Sequence, residues 1–314
     1  MMPSSPREKL TDPARASAPA GALAAFLDAA RARVDARLPD LLPPRAGGED
    51  RVLDAMEYAL LAPGKRVRPA LTLMVARLFG EPPSGVLDAA CAIEMVHAAS
   101  LVLDDLPCMD SATLRRGRPA AHVAFGEATA ILAAVALLNR AYGVVAGAAG
   151  EAGLRERLRA ALGRRLSDAI GTHGVIGGQQ ADLLAEGRTL GLRELEFVHS
   201  HKTGSLFIAS AEVGALLMSA SEREVAALAG YAKNLGLAFQ ITDDILDAAG
   251  DEAAMGKSAG RDARRTTFVS LCGAGGARQL AEELVGAAVA HLEPFGRRGT
   301  LLSDLASYIA RRDR

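Results

Sequence analysis

Three carboxylates in the run Asp104-Asp105-Leu106-Pro107-Cys108-Met109-Asp110 interrupt an apolar stretch that begins at Ile93. A second cluster, Asp243-Asp244-Ile245-Leu246-Asp247, follows about 140 residues later in another apolar run. Burying this much negative charge requires compensating cations. Carboxylate oxygens suit hard ions such as Mg²⁺, which keeps several waters and shares its coordination sphere with substrate phosphates. Lys65, Arg68, Arg115, Arg116, Lys202 and Lys257 are spread along the chain around the two clusters, and the arginine fork in particular suits phosphate. The combination points to a metal-bound diphosphate. Clamped in this way a diphosphate becomes a good leaving group, because fixed cations stabilise the charge that develops on it. Its departure leaves a carbocation, which apolar helix faces can hold and shield from water.

The elements that must position these groups read as helices. Apolar residues recur at helical spacing from Ala22 to about Arg37 and from Val52 to Leu61, where Ala62-Pro63-Gly64 stops the run. Gly64, Lys65 and Arg68 then precede or open the helix that starts near Pro69, whose free N–H groups and macrodipole favour an anion. Leu87 to Leu106 predicts a long apolar helix carrying Glu94, His97, Ala99 and Ser100 ahead of the first carboxylates. Asp104 and Asp110 cannot share one face of a regular helix; Pro107 predicts a break that folds Asp110 back toward Asp104. Glu127 to Ala149 predicts a buried, Ala-rich helix, and Gly171 to Gly178 is open between a loop and a helix in close contact with a neighbour. Glu222 to Ala249 predicts a helix on which Asp243, Asp244 and Asp247, at i,i+3 and i,i+4, address one cavity. His199 and His201 are two apart and point to different sides, which disfavours a metal pair. Gly256-Lys257-Ser258 lacks the first glycine of a P-loop.

Composition agrees with an all-α chain: 50% hydrophobic residues, only 4% aromatic and no Trp. The net charge of −1 leaves no general field for nucleic acid. Cys91, Cys108 and Cys272 have no CxxC spacing, which argues against a zinc site or a disulfide framework and fits a reducing cytoplasm. No signal peptide or membrane span is expected. Residues 1–20 read as a disordered tail, and 21–314 as a single helical domain without strand alternation.

The strings GKRVRP (64–69), HAASLVLDDLPCMD (97–110), LRRGRP (114–119), GGQQADL (177–183), HKTGSLF (201–207) and FQITDDILD (239–247) resemble, in order, those of the trans-isoprenyl diphosphate synthases. The resemblance implies an all-α isoprenoid-synthase bundle around a central apolar cavity, a homodimer, and three Mg²⁺ ions between an allylic diphosphate and the two aspartate motifs. It places Asp104 and Asp110, with Asp105 in support, on one side of the metals, and Asp243, with Asp244 and Asp247, on the other. Arg115, Lys202 and Lys257 would hold the allylic diphosphate. Gly64, Lys65, Arg68, His97 and Arg116 would hold isopentenyl diphosphate, and Thr203 and Gln240 would lie near the developing cation. Ionisation would precede attack by the isopentenyl double bond, with the departing pyrophosphate as proton acceptor.

Ala99 and Ser100 are small where an aromatic residue would close the hydrocarbon tunnel early. With the two-residue insertion Pro107-Cys108, they resemble the bacterial geranylgeranyl diphosphate synthases and imply a C20 product. A farnesyl diphosphate synthase, a terpene cyclase and a non-catalytic partner subunit are the alternatives. The chain departs from the resemblance in two places. Ser111-Ala112-Thr113 follows the first motif where further acidic residues are usual, and Arg264-Arg265-Thr266 stands for Gly-Lys-Ser/Thr, which makes Arg265 a candidate phosphate ligand.

Overall fold

The computed structural model describes residues 21–45, 47–254 and 266–312. The expected tail at 1–20, Lys257 and Arg265 lie outside the described residues. Thirteen α-helices are described: α1 (Gly21–Arg37), α2 (Arg51–Leu60), α3 (Val67–Arg77), α4 (Gly85–Asp104), α5 (Ala121–Phe125), α6 (Glu127–Glu151), α7 (Glu156–Ile170), α8 (Val175–Ala185), α9 (Leu192–His199), α10 (Ser205–Leu217), α11 (Glu222–Ala254), α12 (Phe268–Ala290) and α13 (Thr300–Arg311). The main core runs from Leu23 of α1 through Ile93, Met95 and Ala99 of α4 and Leu137 of α6 to Phe207 of α10 and Leu302 of α13. A smaller apolar cluster joins Val198, Leu237, Ile241 and Phe268 at the level of the second aspartate motif.

The helix at α4 ends at Asp104, two residues before the expected boundary, and the chain turns there. The Asp110 amide donates to the Asp104 carbonyl at 2.9 Å, and Ser111 N–H to the Leu106 carbonyl at 2.9 Å. Both are the return that Pro107 imposes. Gly171 to Gly178 resolves as the entry to a helix in close contact: a Cβ on Gly178 would stand 2.6 Å from Lys202 Cα and from the His201 carbonyl carbon.

Two expectations are corrected. A two-stranded hairpin, β1 (Leu114–Arg115) and β2 (Arg118–Pro119), pairs antiparallel with Arg115 opposite Arg118. Its turn places Arg116 (φ 53°) and Gly117 (φ 75°) in positive φ, as tight hairpins require. The α6 helix is apolar but not wholly buried; Ile131, Leu132, Val135 and Tyr142 are exposed along one side. A π turn over Ser200–Gly204 joins α9 to α10, a wider i→i+5 turn that recurs at functional sites.

Candidate active site

The first acidic cluster is divided between two tasks. Asp104 accepts from Gln179 Nε2 at 2.6 Å and from Lys202 Nζ at 3.0 Å. Lys202 bridges onward to Asp182 at 2.7 Å. The π turn aims Lys202 at α4, and α8 supplies Gln179 and Asp182. Burial pushes the Asp104 carboxyl up, against the pull of Lys202. Burial also lowers Lys202, but Asp104 and Asp182 together outweigh it and hold the ammonium charged. Asp105, 2% exposed, turns away to Arg115, which it holds through Nε (3.0 and 3.1 Å) and Nη2. That leaves Arg115 Nη1 as a donor.

The second cluster is divided in the same way. Asp244 accepts from the backbone N–H of Phe268 at 2.9 Å and from Gln240 Nε2 at 3.2 Å. It ties α11 to the start of α12. Gln240 Oε1 in turn accepts from Thr203 Oγ1 at 3.0 Å, so the π turn, α11 and α12 form one chain of hydrogen bonds. Asp243 accepts from Arg312 at 2.5 Å. Arg312 also donates to the Phe239 carbonyl at 3.0 Å and lies 3.9 Å over the Phe239 ring. Asp105 and Asp244, both metal candidates by resemblance, are thus occupied by protein donors. A sequence shows which carboxylates are neighbours, not which way each turns.

The basic loop faces the same region. Lys65 and Arg68 both act electrostatically on Asp243. Arg68 lies 4.9 Å from the Phe207 ring centroid, and its Nε is sealed from solvent without a partner. Gly64 lets Arg116 approach, because a Cβ there would stand 2.7 Å from its Nη1. Arg116 donates to the carbonyls of Ala62 (3.2 Å) and Pro63 (2.7 Å). His97 is held well below the usual imidazole range by burial and then by Arg68, Arg116 and Arg66. It is therefore neutral in this crowd of arginines. His199 and His201 have different neighbours: the ring of His201 contacts the Phe197 carbonyl at 2.7 Å, while that of His199 lies 5.5 Å from Phe268.

Among the described residues no three carboxylate, His or Cys groups form a ready-made metal site. The donor chemistry fits Mg²⁺ in another way: Asp104, which feels the charge of Asp110, and Asp243, which feels that of Asp247, are hard-oxygen donors that would share such an ion with diphosphate and water. Asp243 and Asp244, like Asp104, are pushed up by burial. In metal-free protein the raised carboxyls bind protons more tightly folded than unfolded, so their contribution destabilises progressively as pH climbs above the ordinary 3.8. Metal needs the deprotonated forms. Mg²⁺ with inorganic pyrophosphate is therefore expected to raise Tm strongly at neutral pH, and the rise to shrink on acidification before the ordinary carboxylate range is reached. A rise that stays constant down to that range in thermal melts would contradict the assignment.

Residues 49–278 match the polyprenyl synthetase family. The chain belongs to the polyprenyl synthetase family. It is 42% identical over 271 residues to the farnesyl diphosphate synthase of Geobacillus stearothermophilus, covering 86% of this chain and 91% of that one. It is also 42% identical over 265 residues to the chloroplastic geranylgeranyl pyrophosphate synthase 11 of Arabidopsis thaliana, covering 82% and 74%. The crystal structure of an FPP/GFPP synthase from Zymomonas mobilis superposes with a TM-score of 0.81 at 34% identity, over 92% of this chain and 99% of that one. This polyprenyl synthetase is a chain-elongating prenyltransferase with the all-α isoprenoid-synthase fold. Magnesium is the general cofactor of its family. Gln179 and Asp182 stand within GGQQADL, where the sequence indicates no role for either, and Arg312 lies outside every motif. The only signal for Arg312 was the basic pair Arg311-Arg312 near the C-terminus.

Proposed function

We propose that this prenyltransferase condenses isopentenyl diphosphate with an allylic diphosphate and releases geranylgeranyl diphosphate, and that Asp104, Asp110, Asp243 and Asp247 would hold the Mg²⁺ ions, three in number, that it uses. Bound Mg²⁺ supplies stabilisation of the negative charge that develops on the departing diphosphate. Lys202, fixed by Asp104 and Asp182, and Arg115, fixed by Asp105, donate to the allylic diphosphate. Lys65, Arg68, neutral His97 and Arg116 bind and orient the isopentenyl diphosphate. Thr203 and Gln240 direct their dipoles at the cation, and the apolar helices exclude water.

The observation that carries the product assignment is Ser100. It precedes Asp104 by four residues, which places it about 40° away on the same face of α4. It is half-buried and its hydroxyl donates to the His97 carbonyl at 2.8 Å, within its own helix. Ala99 stands about 140° round the helix from Asp104 and is fully buried in the core. Purified enzyme supplied with dimethylallyl, geranyl or farnesyl diphosphate is expected to yield mainly the C20 product by chromatography, and mainly farnesyl diphosphate would refute it. Ser100→Phe is expected to shift the product to C15 with the fold retained. Ala99→Phe also shortens the product but overpacks the core at about 1–3 kcal/mol. Incorporation of labelled isopentenyl diphosphate by the isolated chain excludes a non-catalytic partner subunit.

The exposed side of α6 supports a homodimer. Ile131, Leu132, Val135 and Tyr142 form an apolar stripe beside Gly143 and Gly147, where an added Cβ would meet nothing within 4 Å. Val135→Asp is expected to give monomer by light scattering. The three free cysteines fit a cytoplasmic location.

A further inference from the structure

Arg66 stands between Lys65 and Arg68 in the sequence. Its side chain is 2% exposed, and its backbone takes the left-handed conformation (φ 49°, ψ 37°) at the start of α3. All three guanidinium nitrogens are occupied. Nε donates to Asp35 of α1 at 2.8 Å and Nη1 to Glu94 of α4 at 2.6 Å. Nη2 donates to the carbonyls of Leu60 at 3.1 Å and Ala62 at 3.0 Å, at the end of α2. One side chain therefore ties α1, the end of α2 and α4 to the loop that carries Lys65 and to the first turn of α3, which carries Arg68.

Glu94 is the anionic half of this arrangement, with a side chain 4% exposed. It lies one helical turn before His97 and attracts Arg68 and Arg116 as well as Arg66. The Ala62 carbonyl is shared between Arg66 and Arg116. The four groups assigned to isopentenyl diphosphate come from the loop before α3, from α3, from α4 and from the β1–β2 turn. They converge around the Arg66–Glu94 pair.

We propose that Arg66 and Glu94 are positioning residues for isopentenyl diphosphate: a buried fork and its carboxylate that fix the loop bearing Lys65 and the first turn of α3 bearing Arg68 against α4, and that supply the counter-charge among the arginines before the substrate arrives. The inference rests on the assignment of Lys65, Arg68, His97 and Arg116 to that diphosphate. Lys cannot replace Arg66, because a single ammonium does not span Asp35, Glu94 and two carbonyls in a fixed plane.

The test is steady-state kinetics of the full-length enzyme with each substrate varied in turn, accompanied by thermal melts. Glu94→Gln and Arg66→Lys are expected to raise KM for isopentenyl diphosphate roughly ten- to hundredfold, with the allylic KM within about twofold, since the groups they position are assigned to isopentenyl diphosphate alone. The double variant Arg66→Met/Glu94→Leu replaces the buried pair with apolar side chains, a change that commonly preserves stability. It is expected to melt near the parent and still show the raised isopentenyl KM. An unchanged isopentenyl KM in the folded double variant overturns the proposal. So does a parallel rise of both KM values, or a fall in kcat alone, in any of the variants. Arg68→Ala is the control. If it leaves the isopentenyl KM unchanged, the assignment of the loop fails, whereas a raised KM in Arg68→Ala with none in the Arg66 and Glu94 variants defeats only the positioning role.

Discussion

Asp104→Asn is expected to reduce kcat/KM for the allylic substrate by about 10³-fold with little change in melting temperature, which is the scale on which loss of one fixed electrostatic partner is felt in a water-excluded site. The substitution preserves volume, and the amide oxygen can still accept from Gln179 and Lys202. What it removes is the negative charge that faces metal and that shares Lys202 with Asp182. Because burial already raises the Asp104 carboxyl, losing the charge relieves desolvation and offsets part of the lost ion pair. Activity and stability should therefore separate. Steady-state rates with melts check this, and a variant within tenfold of the parent in kcat/KM would remove Asp104 from the metal site. Asp105→Asn should behave differently. Its carboxylate holds Arg115, so the deficit belongs to allylic diphosphate affinity rather than to Mg²⁺ dependence.

Gly178→Ala is the second large effect. The added methyl would overlap backbone atoms of the π turn, standing 2.6 Å from Lys202 Cα and His201 C and nearer still to Lys202 N. None of these atoms belongs to a flexible side chain. The α8 helix must move away from the turn, carrying Gln179 and Asp182 from the Asp104–Lys202 pair. Displacement by about 1 Å costs on the order of 10²-fold in rate, and overpacking adds about 1–3 kcal/mol of destabilisation. Gly163→Ala is the contrasting case. It lies in α7 with nothing within 4 Å of the new Cβ, and is expected to stabilise by about 0.5–1 kcal/mol. Melting curves and kcat for the two variants check the pair; equal behaviour would mean that α8 accommodates the methyl without moving.

Much of this site was legible before any coordinates. Pro107 after two carboxylates predicted a helix end near Leu106, two residues past the observed one at Asp104, and the return of Asp110, because proline disfavours helix at the residue before it. The spacing of Asp243, Asp244 and Asp247 placed them on one helix. What escaped were features set by direction rather than order. Asp105 and Asp244 turn to Arg115 and to the Phe268 amide, choices made by tertiary neighbours. The hairpin at Leu114–Pro119 is too short for alternation to register, and only Gly117 marked its turn. The face of α6 read as core because apolar composition is the same for a buried surface and for one awaiting a partner.

The π turn at Ser200–Gly204 carries a consequence for length. A π turn contains one residue more than the α turn it replaces. Deleting any one of those five residues would restore a regular helix from α9 into α10, yet it would rotate everything on one side of the deletion by about 100° relative to the other. Lys202 and Thr203 could then no longer meet Asp104 and Gln240 while Phe207 kept its place in the core. Within this short segment a substitution is a local event, whereas a change of one in the residue count breaks the register between the catalytic groups and the core.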